Sequence, residues 1–114
     1  MANWKVTVRH GPDVSRQSFD DLEAALAFAR EAAEEVIAEG ELGPVKAIRD
    51  YEPSQIVNAR VEITGKGLLR PPTAGIDIQR DLSVVPYTGG VRRKALDGST
   101  IPQAIKSLRM ELGS

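Results

Sequence analysis

Histidine and carboxylate residues that could carry acid–base chemistry meet in one short segment near the N-terminus. His10, the only histidine, precedes Asp13 by three residues. A carboxylate close to a histidine can orient the ring and favour its charged form, as in a general base. A nucleophile would still have to be positioned by the fold, since the nearest serines are neighbours only along the chain. We therefore interpret His10 as a structural turn residue and assign no catalytic residue.

A second polar cluster, which includes Arg49 and Tyr51, lies at the end of a predicted strand. Alternation along a strand places these two side chains on one face, and loops at strand ends often carry binding sites. Together with His10 and Asp13 they define one hypothesis, in which the protein is a small enzyme or a metabolite binder. This hypothesis predicts a pocket that collects all four side chains.

Metal and cofactor sites are not predicted from this sequence. The chain has no cysteine and one histidine, which excludes thiolate zinc sites, iron–sulfur clusters and thiol nucleophiles. The Gly65-Lys66-Gly67 segment lacks the Ser or Thr and the following helix that a phosphate-binding loop requires. We accordingly expect no metal and no cofactor.

Charge is distributed unevenly along the chain. Residues 1–57 carry 6 Lys/Arg and 11 Asp/Glu, whereas residues 58–114 carry 9 and 5, so the two halves have net charges of −5 and +4. A basic half could bind phosphates, but the aromatic residues on which single-stranded bases stack make up only 4% of the chain. Nucleic acid or another polyanion is thus an alternative partner, bound through Arg60, Arg70, Arg92 and Lys94.

Apolar residues on a stiff loop indicate a protein-docking element. Leu68 and Leu69 precede Pro71 and Pro72, and consecutive prolines hold an extended backbone. Phe28 lies at the border of the apolar stripe of the first predicted helix, where it either widens the buried arc or contacts a partner. These five residues are the candidate docking residues.

Hydrophobic periodicity predicts the elements of the N-terminal part. Alternation from Trp4 to Val8 predicts a strand, and a loop is expected from its end to Ser18. Ser18 with Asp21 resembles a capping box, which predicts the start of a long amphipathic helix. Gly40 is the expected C-cap of that helix.

The remainder of the chain predicts strands followed by a short helix. Pro86 places its own strand at an edge or at a bulge, because proline cannot donate to a ladder. Thr100 and Gln103 form a second capping-box pattern at the start of the C-terminal helix. Segments bounded by turn residues predict strands at 45–51, 56–64, 75–80, 83–87 and 91–96.

The predicted order is β-α-β-β-β-β-β-α, which is typical of an α+β fold. We expect a mostly antiparallel sheet of five or six strands, with the long helix on one face and the short helix at the C-terminus, in a single domain over 1–114. No apolar run reaches the length of a membrane span, so we expect a soluble, cytoplasmic protein that does not contact the membrane. The functional hypothesis is a non-enzymatic protein-interaction domain that binds a protein partner or self-associates.

Overall fold

The computed structural model describes residues 3–40, 57–66, 71–89 and 93–113. Within these ranges the chain forms one antiparallel sheet, with strand order β2-β1-β3-β4-β5-β6, and two helices. The predicted α+β class, with a long helix and a short C-terminal helix on an antiparallel sheet, is confirmed. The strands are β1 (Trp4–His10), β2 (Asp13–Phe19), β3 (Val57–Gly65), β4 (Thr73–Gln79), β5 (Val84–Thr88) and β6 (Lys94–Ala95), and the helices are α1 (Leu22–Glu39) and α2 (Ile101–Gly113). The strand predicted at 45–51 lies outside the described residues.

A tight hairpin joins β1 to β2. Gly11 has a φ of 61°, and Pro12 fixes the negative φ of the next position, which is the combination of a type II′ turn. The turn brings His10 opposite Asp13 and Trp4 opposite Phe19. Residues 13–19 are therefore a strand, and the predicted loop to Ser18 is wrong. Alternation did not reveal β2, because this edge strand is almost entirely exposed and buries no face.

Helix α1 begins three residues later than the Ser18 capping pattern predicts. Its N-cap is Asp21, whose side chain accepts a hydrogen bond from the Ala24 backbone N–H at 2.7 Å. Ser18 instead pairs with Lys5 in the hairpin. The C-cap prediction is confirmed, since Gly40 has a φ of 83° and its N–H donates to the carbonyls of the last turn.

Both helices lie on the same face of the sheet and form the core with it. Helix α1 packs on β1 and β3, α2 packs on β4 and β5, and the two helices contact each other. On β3 and β4 the side chains of Val61, Ile63, Ile76 and Ile78 face the helices and are fully inaccessible. The core contributed by the helices consists of Ala25, Leu26, Ala29, Ala33, Val36, Ile101, Ala104, Ile105, Leu108 and Leu112. The opposite side of the sheet, which we call the open face, carries the alternate residues of each strand.

Two irregularities modify the predicted strands. Asn58 precedes the inward-facing Ala59, so alternation alone would place it on the outer face, yet it is buried at the point where the β3–β4 register shifts. Pro86 does not form an edge, since β5 lies between β4 and β6. The Pro86 carbonyl accepts a hydrogen bond from the Leu96 N–H at 2.8 Å, but proline has no N–H that could donate a second hydrogen bond to β6. Regular β5–β6 pairing consequently extends only over the two residues of β6.

Candidate interaction surface on the open face

The centre of the open face is built by residues of β1, β3 and β4 that the antiparallel register places side by side. Arg9 of β1 lies directly opposite Arg60 of β3, and Arg60 lies opposite Asp77 of β4. Thr7 and Glu62 form the neighbouring pair on the same face. Opposite residues in such a ladder have their Cβ atoms about 4.5–5.5 Å apart. The register therefore concentrates charged side chains from distant parts of the chain.

Arg60 is held by a two-point ion pair. Its Nε donates to Asp77 Oδ1 at 2.6 Å and its Nη2 donates to Oδ2 at 3.1 Å. The two side chains are only 22% and 16% exposed, so this geometry is fixed by the sheet. The hydrogen bond to Asp77 raises the pKa of the Arg60 guanidinium, with partial burial acting in the opposite direction. Asp77 thus largely neutralises Arg60.

Tyr87 lies across the open face above a glycine. Gly75, its partner in the β4–β5 register, has no side chain, and a Cβ there would lie 2.7 Å from Tyr87 Oη. The phenol crosses this gap and donates a hydrogen bond to Glu62 Oε2 at 2.5 Å. Burial, followed by the hydrogen bond to the Glu62 carboxylate, holds the pKa of Tyr87 far above its ordinary value. Glycine is therefore needed at position 75, because a side chain there would occupy the space of the Tyr87 ring that joins β5 to β3.

Two guanidinium groups lie near the Tyr87 ring. The Cζ of Arg60 lies 5.5 Å from the ring centroid, and the Cζ of Arg93, just before β6, lies 5.3 Å from it. Both distances fall within the range of cation–π attraction. Tyr87 is only 3% exposed, although it stands on the side of the sheet that the helices leave uncovered. The ring therefore positions arginines and offers little surface to a ligand.

These side chains surround an open depression of about 350 Å³. It is lined by Thr7, Arg9, Arg60, Glu62 and Arg93. The Arg9 side chain is exposed and makes no hydrogen bond or ion pair with any other residue of the described ranges. Arg9 lies opposite Arg60, whose charge Asp77 already balances, so no carboxylate of the described residues balances the charge of Arg9. An incoming anion would supply that counter-charge.

Basic residues continue from this depression along β1. Lys5 and Lys66 line a second, smaller depression of about 190 Å³ with Ser18 and Thr64. Lys5 and Arg9 are four residues apart on one strand, which corresponds to about 14 Å. Arg16 of β2 lies opposite Thr7 on the same face. We call the whole set the basic track, and it consists of Lys5, Arg9, Arg16, Arg60, Lys66 and Arg93.

The predicted polyanion residues are only partly found in this track. Arg60 belongs to it, whereas Arg70 and Arg92 lie outside the described residues. Lys94 is exposed on β6 opposite Thr88, and its neighbour Arg93 reaches the Tyr87 ring instead. Thr7 and Arg9 alternate with the apolar residues of β1, and this alternation could have indicated that β1 contributes Arg9 to the basic track. Arg16 was missed because β2 was interpreted as a loop.

The residues of the metabolite-site hypothesis are described only in part. His10 and Asp13 are opposite each other in the hairpin, as their spacing allows. The ring of His10 contacts the end of α1, where its Nδ1 lies 3.2 Å from Glu39 Oε2. Arg49 and Tyr51 lie outside the described residues. In the ranges that the structure describes, no cluster of three or more His, Asp or Glu residues could hold a metal ion.

The predicted docking residues are likewise only partly described. Leu68 and Leu69 lie outside the described residues. Pro71 is half-buried, and Pro72 packs over Gly65 beside Trp4. Phe28 is half-buried against Phe19 of β2, with ring centroids 5.2 Å apart. Phe28 therefore extends the buried arc of α1 to the hairpin.

Comparison of the chain with protein-family models, with curated proteins and with solved structures found no significant match. Across the described residues, neither helix has the length and hydrophobicity needed to cross a membrane. Function is therefore inferred from the geometry of the open face.

Proposed function

We propose that the protein is an interaction domain that binds an acidic segment of a partner protein along the basic track. The observation that carries this proposal is the unpaired Arg9 beside Arg60 and Arg93 in one depression. Arg60 is already neutralised by Asp77, whereas Arg9 and Arg93 each keep their charge exposed. A carboxylate placed between these two guanidiniums would accept charge-assisted hydrogen bonds from both.

The distribution of charge on the open face supports an anionic partner. The basic track contributes six positive charges, and among the described residues the carboxylates that oppose them at the centre are Glu62 and Asp77. The whole chain has a net charge of −1, so this concentration of positive charge is a local property of the face. Such a patch accelerates the encounter with an oppositely charged partner and orients it.

The covered aromatic ring favours a protein segment over a single-stranded nucleic acid. Proteins that bind single strands without sequence preference stack bases on exposed aromatic side chains. Tyr87 is almost fully covered and has two guanidiniums near its ring. Trp4 is packed toward the core on the helix side of the sheet. Guanidinium groups, in contrast, match the planar geometry of carboxylates.

The proposal is tested by fluorescence anisotropy with a labelled oligoglutamate peptide. We expect binding that weakens with added salt and that falls by about tenfold or more in Arg9→Glu/Arg93→Glu, because two attractive contacts become repulsive. The matched control is Lys94→Glu/Lys106→Glu, which changes the net charge equally but leaves the basic track intact. Equal loss of affinity in both double variants would contradict the proposal.

The same assay decides between protein and nucleic acid. An oligothymidine of equal charge serves as the second probe. We expect it to bind more weakly than oligoglutamate, because no free ring on the track can stack on its bases. Tighter binding of oligothymidine, lost in Arg9→Glu/Arg93→Glu, would overturn the protein assignment in favour of a polyanion-binding module.

A further inference from the structure

The outer surface of α1 carries a row of carboxylates, which we call the acidic stripe. It consists of Glu31, Glu34 and Glu35, and with Ala38 these residues line a shallow depression of about 330 Å³. Glu34 is paired with Arg30 at 2.9 Å. Glu31 and Glu35 make no ion pair with any residue in the described part of the chain. They lie one helical turn apart, where like charges repel.

The acidic stripe and the basic track lie on opposite surfaces of the fold. Helix α1 turns Ala25, Leu26, Ala29, Ala33 and Val36 toward the sheet. Its exposed carboxylates therefore point away from the sheet. The basic track occupies the side of the sheet that neither helix covers. One copy thus presents a negative surface and a positive surface in opposite directions.

The two surfaces also match in the number of free charges. The stripe presents Glu31 and Glu35, whose Cβ atoms lie one helical turn, about 5–6 Å, apart. The track presents Arg9 and Arg93, which are exposed and line one depression. Ala27 and Ala38 are exposed and small, so they leave room for the stripe to approach the sheet. Each surface juxtaposes like charges that the other surface would neutralise.

We propose that the acidic segment bound by the basic track is the acidic stripe of a second copy of this chain. This inference rests on the proposed function and names its partner. Because the two surfaces face in opposite directions, the contact is head-to-tail and leaves one free track and one free stripe at the ends. Association therefore continues beyond a dimer as the concentration rises.

The contact depends on charge. The large hydrophobic side chains that stand out as exposed among the described residues are Met110 and Val14, and of these only Val14, opposite Arg9 in the β1–β2 ladder, borders the track. Attraction between exposed charges is screened within about 10 Å at 0.1 M salt. Self-association is consequently expected at low ionic strength and is lost at high ionic strength.

Sedimentation velocity over a concentration series tests this inference. At about 20 mM salt we expect the weight-average mass to rise with concentration, and at about 500 mM salt we expect it to stay at one chain. Glu31→Lys/Glu35→Lys should remain monomeric at both salt concentrations. Asp20→Lys/Asp97→Lys changes the net charge equally at positions outside the stripe and should associate like the wild type.

Mixing two complementary variants gives the sharpest outcome. Neutral substitutions are used here, because two surfaces of reversed charge would attract each other. Glu31→Gln/Glu35→Gln keeps the track, and Arg9→Gln/Arg93→Gln keeps the stripe, so each alone should be monomeric. Together they should form a species of two chains that does not grow, because the only functional track and stripe are used once. A wild type that stays monomeric, or association that persists in Glu31→Lys/Glu35→Lys, would overturn the inference. Oligoglutamate binding by Glu31→Gln/Glu35→Gln separately shows whether the proposed function survives, because glutamine adds no positive charge that could bind the probe.

Discussion

Replacement of Tyr87 by phenylalanine isolates the hydrogen bond that joins β5 to β3. The variant keeps the ring above Gly75 and its contacts with Arg60 and Arg93, and it removes only the hydroxyl that donates to Glu62. A hydrogen bond to a charged group contributes about 1.5–3 kcal/mol. We take the lower end, about 1.5 kcal/mol, because the half-exposed Glu62 can bind water in its place. For a chain of 114 residues this corresponds to a Tm lower by about 6 °C.

The same hydroxyl makes the stability difference depend on pH. Its pKa is raised in the folded state above the ordinary value of 10.0, chiefly by burial and then by Glu62. Below pH 10 both states keep the proton, and the bond contributes fully. Above pH 10 the unfolded chain releases the proton while the folded chain keeps it, so the wild type loses about 1.4 kcal/mol by pH 11. Phenylalanine does not titrate, so the difference between the two proteins should nearly vanish at pH 11.

The difference in unfolding free energy between the two proteins is measured by denaturant unfolding at pH 7, 10 and 11. Unfolding is followed by the fluorescence of the single tryptophan. Tyr51→Phe leaves Tyr87 as the only tyrosine in the wild-type background and leaves no tyrosine in the Tyr87→Phe background, so the difference in phenolate absorbance reports the ionisation of Tyr87 directly. We expect no phenolate until the protein unfolds. A difference in unfolding free energy that is the same at pH 7 and pH 11, or a phenolate that appears near pH 10 in the folded protein, would refute the reasoning.

Three further substitutions test the packing that positions the open face, each by denaturant unfolding. Gly75→Ala should lower the free energy of unfolding by about 1–3 kcal/mol, because the new Cβ would lie 2.5 Å from the Val61 carbonyl oxygen. Its control is Gly113→Ala, which should not destabilise the protein, because the new Cβ would make only an ordinary contact with Leu22 at 3.6 Å. Asp21→Ala should cost about 1 kcal/mol through loss of the α1 cap, and equal loss in Asp20→Ala would contradict that role. Leu108→Ala should cost about 2–5 kcal/mol, since the side chain is fully buried, and the exposed Met110→Ala should stay within about 0.5 kcal/mol of the wild type.

Local periodicity was sufficient to predict the helices and strands that bury one face. Ile76 and Ile78 alternate with Asp77 and Gln79, and all four side chains point as that alternation predicts. The apolar spacing of α1 and α2 likewise predicted their cores, because a helix that covers a sheet must repeat its apolar residues every three or four positions. The C-cap at Gly40 follows from a single residue that tolerates a positive φ.

The elements without a buried face were harder to predict. Strand β2 has no apolar alternation, and its pairing follows from the Gly11-Pro12 turn together with the register of β1. Ser18 does not cap α1, because it lies within β2 and pairs with Lys5, and the cap therefore falls on Asp21. Edge strands are exposed on both faces, so their residues carry little of the pattern from which strands are predicted.

The amino-acid sequence by itself determined the class of the fold, the core residues of both helices and the excess of positive charge in the second half. Only the tertiary structure decided which charges meet. Arg9, Arg60 and Arg93 come from three separated parts of the chain, and the order and register of β1, β3 and the segment before β6 bring them to one depression. Alternation assigns each side chain to one of two faces of its own strand, but it contains no information on which strand lies next to it. The candidate interaction surface is therefore a consequence of strand pairing between residues that are distant in sequence.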